Sequence, residues 1–486
     1  MQVNKESKRV KIVSTIGPVS RSFEMLEKLF LAGVNVFRLN FSHSNYEEHT
    51  ESYNNIRAVS KKYGVPLSIL ADMQGPKLRV GKFKNKKEFL ELEQKFILDL
   101  NEELGDTTRV CLPHPEIFEA LKEGDSLLID DGKIRLQVEQ CGANYAETIV
   151  KAAGYISDKK GVNFPSGILK LSPLTEKDLK DLDFALNLGV DYIGLSFVQL
   201  SPDVEQAREL IKGRAKIISK IEKPSAVENI TSIIEASDGI MVARGDLGVE
   251  IPTEEVPVVQ KMIIRECRRQ SKPVIVATQM LDSMTNAPIP TRAEASDVAN
   301  AVYDGTDAVM LSGETTVGEF PVETVNVMAN IISSVENDPL YWDVLKTSYD
   351  HIIKSYLEKN PKEKHVSIGR AISIAAKEIA DAVDAKVIVA FSFQGTTAHR
   401  ISHQRPRAKI LCITDNPVLY NQLNLGWGIT PLLVETVSSF SEIADLASSW
   451  LKTNNWVKIG EKFLVVAGVP VGLGGITNSI RVLEME

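Results

Sequence analysis

The residues with most chemistry in them fall in one stretch, 217–250, which reads IISKIEKPSAVENITSIIEASDGIMVARGDLGVE. Two short apolar runs, 216–221 and 239–243, each break into charge. Lys220 and Glu222 close the first, Arg244 and Asp246 the second. Runs of that length bounded by polar residues read as buried strands, and the segment between them, 225–236, has helical spacing. Two carboxylates at neighbouring strand ends can share a divalent metal, and oxygen donors of this kind suit Mg2+ or Mn2+. Having only two protein ligands leaves coordination positions for a chelating substrate such as a 2-keto or enol acid. The ammonium of Lys220 beside them suits neutralisation of a phosphoryl group in transfer.

Other apolar runs end the same way. Arg38, Asn40, Ser42 and His43 close one; Asp72 closes another, with Lys77 and Arg79 shortly after. Thr278 and Gln279 close a third, Ser312 and Glu314 a fourth. Arg38 and Arg79 have the fork geometry that grips phosphate oxygens. The backbone of GDLGVE, at the start of a short helix, offers N–H groups to a carboxylate. Thr278 is no strong acid but can position a water that protonates carbon. Taken singly these residues have ordinary explanations: Lys220 with Glu222 as a structural ion pair, Asp246 as a helix cap. Their gathering at the ends of different strands is what favours a site, because inward charge in a barrel is costly unless paired or liganded.

The elements that must position them follow a rhythm. Apolar, β-branched runs recur at 10–16, 34–41, 67–73, 192–198, 215–221, 239–243, 273–278 and 308–311. Amphipathic stretches at 23–32, 46–62, 176–188, 204–211, 226–236, 256–270, 293–303 and 322–335 lie between or after them. Strands alternating with helices in this way predict an α/β fold, a closed (β/α)8 TIM barrel whose strand C-termini form the catalytic face. Ser22, Thr175 and Thr291 are candidate N-caps; Gly33, Gly64, Gly189, Gly213 and Gly305 follow helices. The third unit is interrupted. After Met73 the next helix waits until Thr175, and the chain between alternates short apolar runs with turns, including a hairpin signal at Asp130–Gly132. A small β-barrel inserted at the catalytic face, a lid, is expected. Beyond 335 a third region reads as an open α/β sheet, with strands at 386–390, 409–414, 430–434 and 462–467. The expected division is 1–75 with 164–340 for the barrel, 76–163 for the insertion and 341–486 for the C-terminal domain.

Composition narrows the function classes. The 486 residues carry 56 basic and 64 acidic side chains, a net charge of −8, which disfavours nucleic-acid binding. The segment MQVNKESKRVKIVST lacks the apolar centre of a signal peptide, and no run is long enough for a bilayer. Cys111, Cys141, Cys267 and Cys412 show no metal or redox spacing. A cytoplasmic protein with no membrane partner is expected.

The motifs KIVSTIGP, VFRLNFSH, GPKLR, KKGVNFP, LTEKD, SKIE, MVARGDLGVEIP, VATQMLDSM, PTRAEASDVANAVYDGTDAVMLSGET, QRPRAKI and GITNSIRV run through the chain in order. On them the chain resembles the pyruvate kinase family. The resemblance implies Mg2+-dependent phosphoryl transfer from phosphoenolpyruvate to ADP, giving ATP and pyruvate. By motif, Lys220 stabilises the transition state, and Glu222 and Asp246 hold the metal. Arg38, Lys220, Gly245, Asp246 and Thr278 hold the substrate, Arg38, Arg79 and Thr278 act in catalysis, and Asn40, His43, Arg79 and Lys160 face the nucleotide. It also implies a homotetramer. Two departures matter. The family's monovalent-cation site matches Asn40, Ser42, Asp72 and Met73, but Lys77 stands where a glutamate is common; its ammonium can replace the cation, so activity without K+ is expected. The effector loop is Ser392, Phe393, Gln394, Gly395, Thr396, Thr397, in which Gln394 replaces a hydroxyl residue; a phosphorylated effector is still expected. The competing readings are a metal-dependent 2-keto acid aldolase or lyase, and a non-catalytic metabolite sensor. Lys220 and Lys160 argue against the first, and the intact metal-ligand set against the second.

Overall fold

The computed structural model describes residues 8–347, 367–471 and 477–486. Residues 1–7, which open the segment read for targeting, lie outside the described residues, as do 348–366 of the C-terminal region and the first two residues of GITNSIRV.

Eight parallel strands close the barrel: Lys11–Ile16, Val36–Asn40, Ser68–Asp72, Tyr192–Leu195, Lys216–Ile221, Gly239–Ala243, Val274–Ala277 and Ala308–Leu311. They are numbered one to eight below. Strand three pairs with strand four although the whole insertion separates them in sequence, with Leu70 opposite Tyr192 and Asp72 opposite Gly194. The strands are buried because helices cover them outside and Val13, Val36, Leu70, Ile218, Met241 and Met310 fill them inside. The helices begin where the caps predict. Ser22 accepts from the Met25 N–H, and Thr175 and Thr291 form capping boxes with Asp178 and Glu294. Gly64 and Gly189 end their helices in the left-handed conformation.

The helix expected at 226–236 is broken into Pro224–Glu228 and Ile230–Ala236. Between them Asn229 leaves helical geometry at φ −102, ψ +18, and its side-chain amide donates to the Ser225 carbonyl at 2.8 Å.

The insertion has its own core, built from Leu90, Phe96, Leu98, Leu127, Leu136 and Val150 among others. Its hairpin joins Ser126–Ile129 to Ile134–Gly142 in antiparallel register, around the expected turn. Its strands are bonded as a six-stranded sheet and a two-stranded ribbon rather than as one continuous closed ladder. The C-terminal sheet runs Ile429–Leu433, Lys409–Thr414, Val387–Phe391, Lys462–Ala467, Ser479–Glu484, the last antiparallel. That edge strand was not read from sequence, because its half-exposed side chains lack the apolar run of its neighbours.

The C-terminal region seals the N-terminal end of the barrel. Leu425 enters the interior cluster, the Tyr192 hydroxyl donates to the Gln422 carbonyl, and Lys11 Nζ donates to the Ile429 carbonyl at 2.8 Å. Beneath strand eight, Asp307 and Arg405 form a buried ion pair at 3.1 Å, and Trp427 packs 4.8 Å from the guanidinium.

Candidate active site

The strand-end residues from sequence converge at the C-terminal mouth. Arg38, from strand two, donates to Asp72 at the end of strand three through Nε at 2.7 Å, and its Nη2 lies 2.5 Å away. Its Nη1 donates to Thr15 Oγ1 at 3.0 Å. Lys220, from strand five, sits 2.8 Å from Glu222 Oε1 and 3.4 Å from Asp72 Oδ1, and donates to Ser196 Oγ at 2.7 Å. Two cations thus interleave with two carboxylates in a nearly buried cluster. Burial opposes the charge on Lys220, yet Asp72 and Glu222 outweigh it and hold the ammonium above the usual lysine range. Burial likewise opposes charge on Asp72, but Lys220 and Arg38 hold that carboxylate below its usual range.

Asp246 lies in Arg244–Glu250, the short helix that follows strand six. Its carboxyl is pushed up to about 6 by burial and then by the charge of Glu222. Two crowded, partly dehydrated carboxylates are the donor set that a divalent cation relieves, so the residues fit Mg2+ or Mn2+. Among the described residues no group of three or more His, Cys, Asp or Glu is placed to hold a metal.

Thr278 follows strand seven with φ +68, and Gln279 with φ +54, left-handed conformations that β-branched threonine in particular resists. Arg244 holds this turn, donating to the Thr278 carbonyl at 2.7 Å while pairing with Asp297 at 2.7 Å. Thr278 Oγ1 accepts the Gly245 N–H at 2.7 Å and donates to the Ala277 carbonyl at 2.6 Å. One N–H of the expected carboxylate seat is therefore taken. Glu314, in the short helix Gly313–Thr316 that follows strand eight, is buried and accepts from the backbone N–H groups of Leu281 and Ser312.

Of the nucleotide-side candidates, Asn40 ends strand two opposite Asp72 in the barrel register. Arg79 and Lys160 belong to the insertion: Arg79 Nη1 donates to the Lys159 carbonyl at 2.7 Å, and Lys160 pairs with Asp130 at 2.8 Å. His43 is exposed. Asn40 Oδ1 accepts the Ser42 N–H at 3.1 Å, and Met73 is buried, its carbonyl accepting from Ser196 Oγ at 2.8 Å. Lys77 is exposed at the insertion's root; partial burial, then Arg79 and Lys220, hold its amine below the usual lysine range. In the C-terminal region Ser392 Oγ accepts the Gly395 N–H at 2.9 Å and Thr397 bonds Thr477 at 2.7 Å, both buried. Gln394 and Thr396 instead line a cavity of about 1760 Å³ between barrel and C-terminal sheet, with Arg370 and Arg400.

Thr15 and Ser196 were absent from the candidates. Both stand at the C-terminal ends of strands one and four, so the same strand-end rule applied there would have found them.

Known proteins resemble this chain over nearly its whole length. The barrel domain of pyruvate kinase matches residues 7–325, and the pyruvate kinase alpha/beta domain residues 370–483. A pyruvate kinase of Agrobacterium vitis is 47% identical over 482 residues, 99% of either chain. One of Methylorubrum extorquens is 45% identical over 478 residues, 98% of either chain. The solved structure of a pyruvate kinase from Cryptosporidium parvum superposes with a TM-score of 0.91 at 34% identity, over 99% of this chain and 97% of that one. A barrel whose mouth sets a lysine between acidic strand ends, carried on a chain similar throughout to these enzymes, identifies a phosphotransferase that belongs to the pyruvate kinase family.

Proposed function

We propose that this chain moves the phosphoryl group of phosphoenolpyruvate to ADP at the Arg38–Asp72–Lys220–Glu222 cluster, with Asp246 and Thr278 beside it. The observation that carries the assignment of residues is Lys220, held charged at the mouth between Asp72 and Glu222 and bonded to Ser196. Glu222 and Asp246 would hold Mg2+ or Mn2+. Such an ion, when bound, supplies positive charge to the substrate's carboxylate and phosphoryl oxygens. Arg38, already oriented by Asp72 and Thr15, has its guanidinium set to grip the phosphoryl group. The Lys220 ammonium offsets charge that develops as the phosphoryl group leaves. Thr278, fixed by Arg244 and Gly245, orients the water that delivers a proton to the enol carbon, and the ketone that forms makes transfer to ADP favourable. Asn40 and His43 of the barrel and Arg79 and Lys160 of the insertion form the nucleotide side, the latter two brought to the mouth when the insertion closes.

The enzyme is read as a cytoplasmic homotetramer divided at 1–75 with 164–340, 76–163 and 341–486. Lys77 serves in place of K+ beside Asn40, Ser42, Asp72 and Met73. A phosphorylated effector binds at the loop Ser392–Thr397, where Gln394 and Thr396 face the cavity with Arg370 and Arg400. The test is direct: purified protein with phosphoenolpyruvate, ADP and Mg2+ must form pyruvate, and a chelator must stop it. No pyruvate would refute the proposal. Sugar phosphates and AMP should shift the phosphoenolpyruvate saturation curve; no shift with any of them removes the effector assignment.

A further inference from the structure

The loop after strand four aims two groups at the catalytic cluster. Ser196 Oγ accepts from Lys220 Nζ, and the backbone N–H of the next residue, Phe197, donates to Glu222 Oε2 at 2.9 Å. Phe197 reaches that position with φ +61, a conformation bulky L residues rarely adopt. Its side chain does not follow its backbone. The residue is 8% exposed and belongs to the hydrophobic cluster that forms the core of the inserted domain, with Leu78, Val80, Phe96 and Leu127. One residue therefore has its backbone in the catalytic centre and its ring in the insertion.

Both places where the chain crosses into the insertion meet this residue or its neighbours. On the entry side Gly75, φ +71, lies so close that a Cβ there would come 3.0 Å from Ser196 Cβ and 3.5 Å from Phe197 Cβ. On the exit side the Asn163 amide donates to Glu250 Oε1 at 2.9 Å. Glu250 pairs with buried Lys223 at 2.5 Å, and Lys223 Nζ stands 4.8 Å from the centre of the Phe197 ring. The ring is held between the insertion's core and a fixed cation.

We propose that Phe197 is a positioning residue that couples the seating of the inserted domain to the orientation of Glu222. A shift of the insertion carries the ring, and the strained backbone passes the shift to the N–H that aims the carboxylate. The inference rests on the reading of Glu222 as a metal ligand. Coupling is reciprocal, so a metal held at Glu222 must in turn steady the insertion.

The test needs no turnover. Mn2+ alone is titrated into the full-length protein by water-proton relaxation, and backbone amide exchange in the insertion is measured with and without it. In the native protein Mn2+ should slow exchange in the insertion by about fivefold, the low end of ordinary coupling. Phe197→Gly removes the ring but adopts φ +61 freely, so the N–H to Glu222 survives. It should bind Mn2+ within about threefold of native affinity, while the exchange response of the insertion disappears. Phe197→Leu, which keeps apolar bulk in the insertion's core, should retain the response and covers the case in which the glycine variant fails to fold. A native insertion indifferent to Mn2+, a glycine variant responding like the native protein, or a leucine variant without the response would overturn the proposal. Unchanged Mn2+ affinity in Glu222→Gln would refute the ligand reading itself, and the inference with it.

Discussion

Replacing Lys220 by methionine removes one positive charge from the middle of three carboxylates. At an effective dielectric near 20, its 2.8 Å and 3.4 Å approaches to Glu222 and Asp72 amount to about 6 and about 5 kcal/mol of gross attraction. Burying the ammonium costs several kcal/mol, and repulsion from Arg38 takes more. The surplus is positive, which is why the ammonium is held above its usual range. Lys220→Met forfeits that surplus and leaves Asp72, Glu222 and Asp246 without the nearest cation, so unfolding stability should fall by about 3 kcal/mol. The transition state loses a fixed charge where phosphoryl charge develops, so kcat should drop by about 10³-fold. Arg38 keeps its own bonds to Asp72 and Thr15, so affinity for phosphoenolpyruvate should change far less. Pyruvate formation at saturating substrate gives the first quantity, denaturant unfolding the second and equilibrium binding the third. A variant that keeps kcat within about tenfold of the native value would refute the argument, because a tenfold loss corresponds to only about 1.4 kcal/mol of transition-state stabilisation.

Thr278→Ala should lower kcat by about 10²-fold and slow hydrogen exchange at the methyl carbon of pyruvate more than it weakens substrate binding; Thr278→Ser should restore most of the rate. Replacing K+ by Na+ should leave the native rate unchanged, whereas Lys77→Glu should bring a marked rise in kcat with K+; a native enzyme strongly stimulated by K+ contradicts the assignment. Asp307→Asn should cost about 3 kcal/mol of stability at neutral pH, since it leaves Arg405 buried beside a neutral group. The pH dependence has a definite sign. Burial raises the Asp307 carboxyl, but Arg405 outweighs it and the net displacement is below the usual range. The pair's stabilisation is therefore complete above the unfolded carboxylate value, about 3.9, and is lost as pH falls through the lower folded value. Thermal melting from pH 7 to acid should show a shallower decline in Asp307→Asn than in the native protein.

Much of the fold was legible in the chain because its signals are local. Strands five and six show as apolar runs ending in Lys220–Glu222 and Arg244–Asp246, and the caps at Ser22, Thr175 and Thr291 depend on residues three positions apart. Polar residues at strand ends are readable because a closed parallel barrel sends all such ends to one mouth. Those features the amino-acid order determined by itself. The tertiary structure alone decided who meets whom there. That Asp72 stands between Arg38 and Lys220 depends on strand three closing against strand four across the whole insertion. That Phe197 takes φ +61, with its N–H on Glu222 and its ring in another domain's core, is a compromise between two packings, and no local preference for phenylalanine points to it. The plug of the barrel by Leu425 and the burial of Asp307 with Arg405 likewise join residues far apart in the chain. A period of two or 3.6 residues reports which face of an element is apolar; only barrel closure and domain docking choose the partner that covers it.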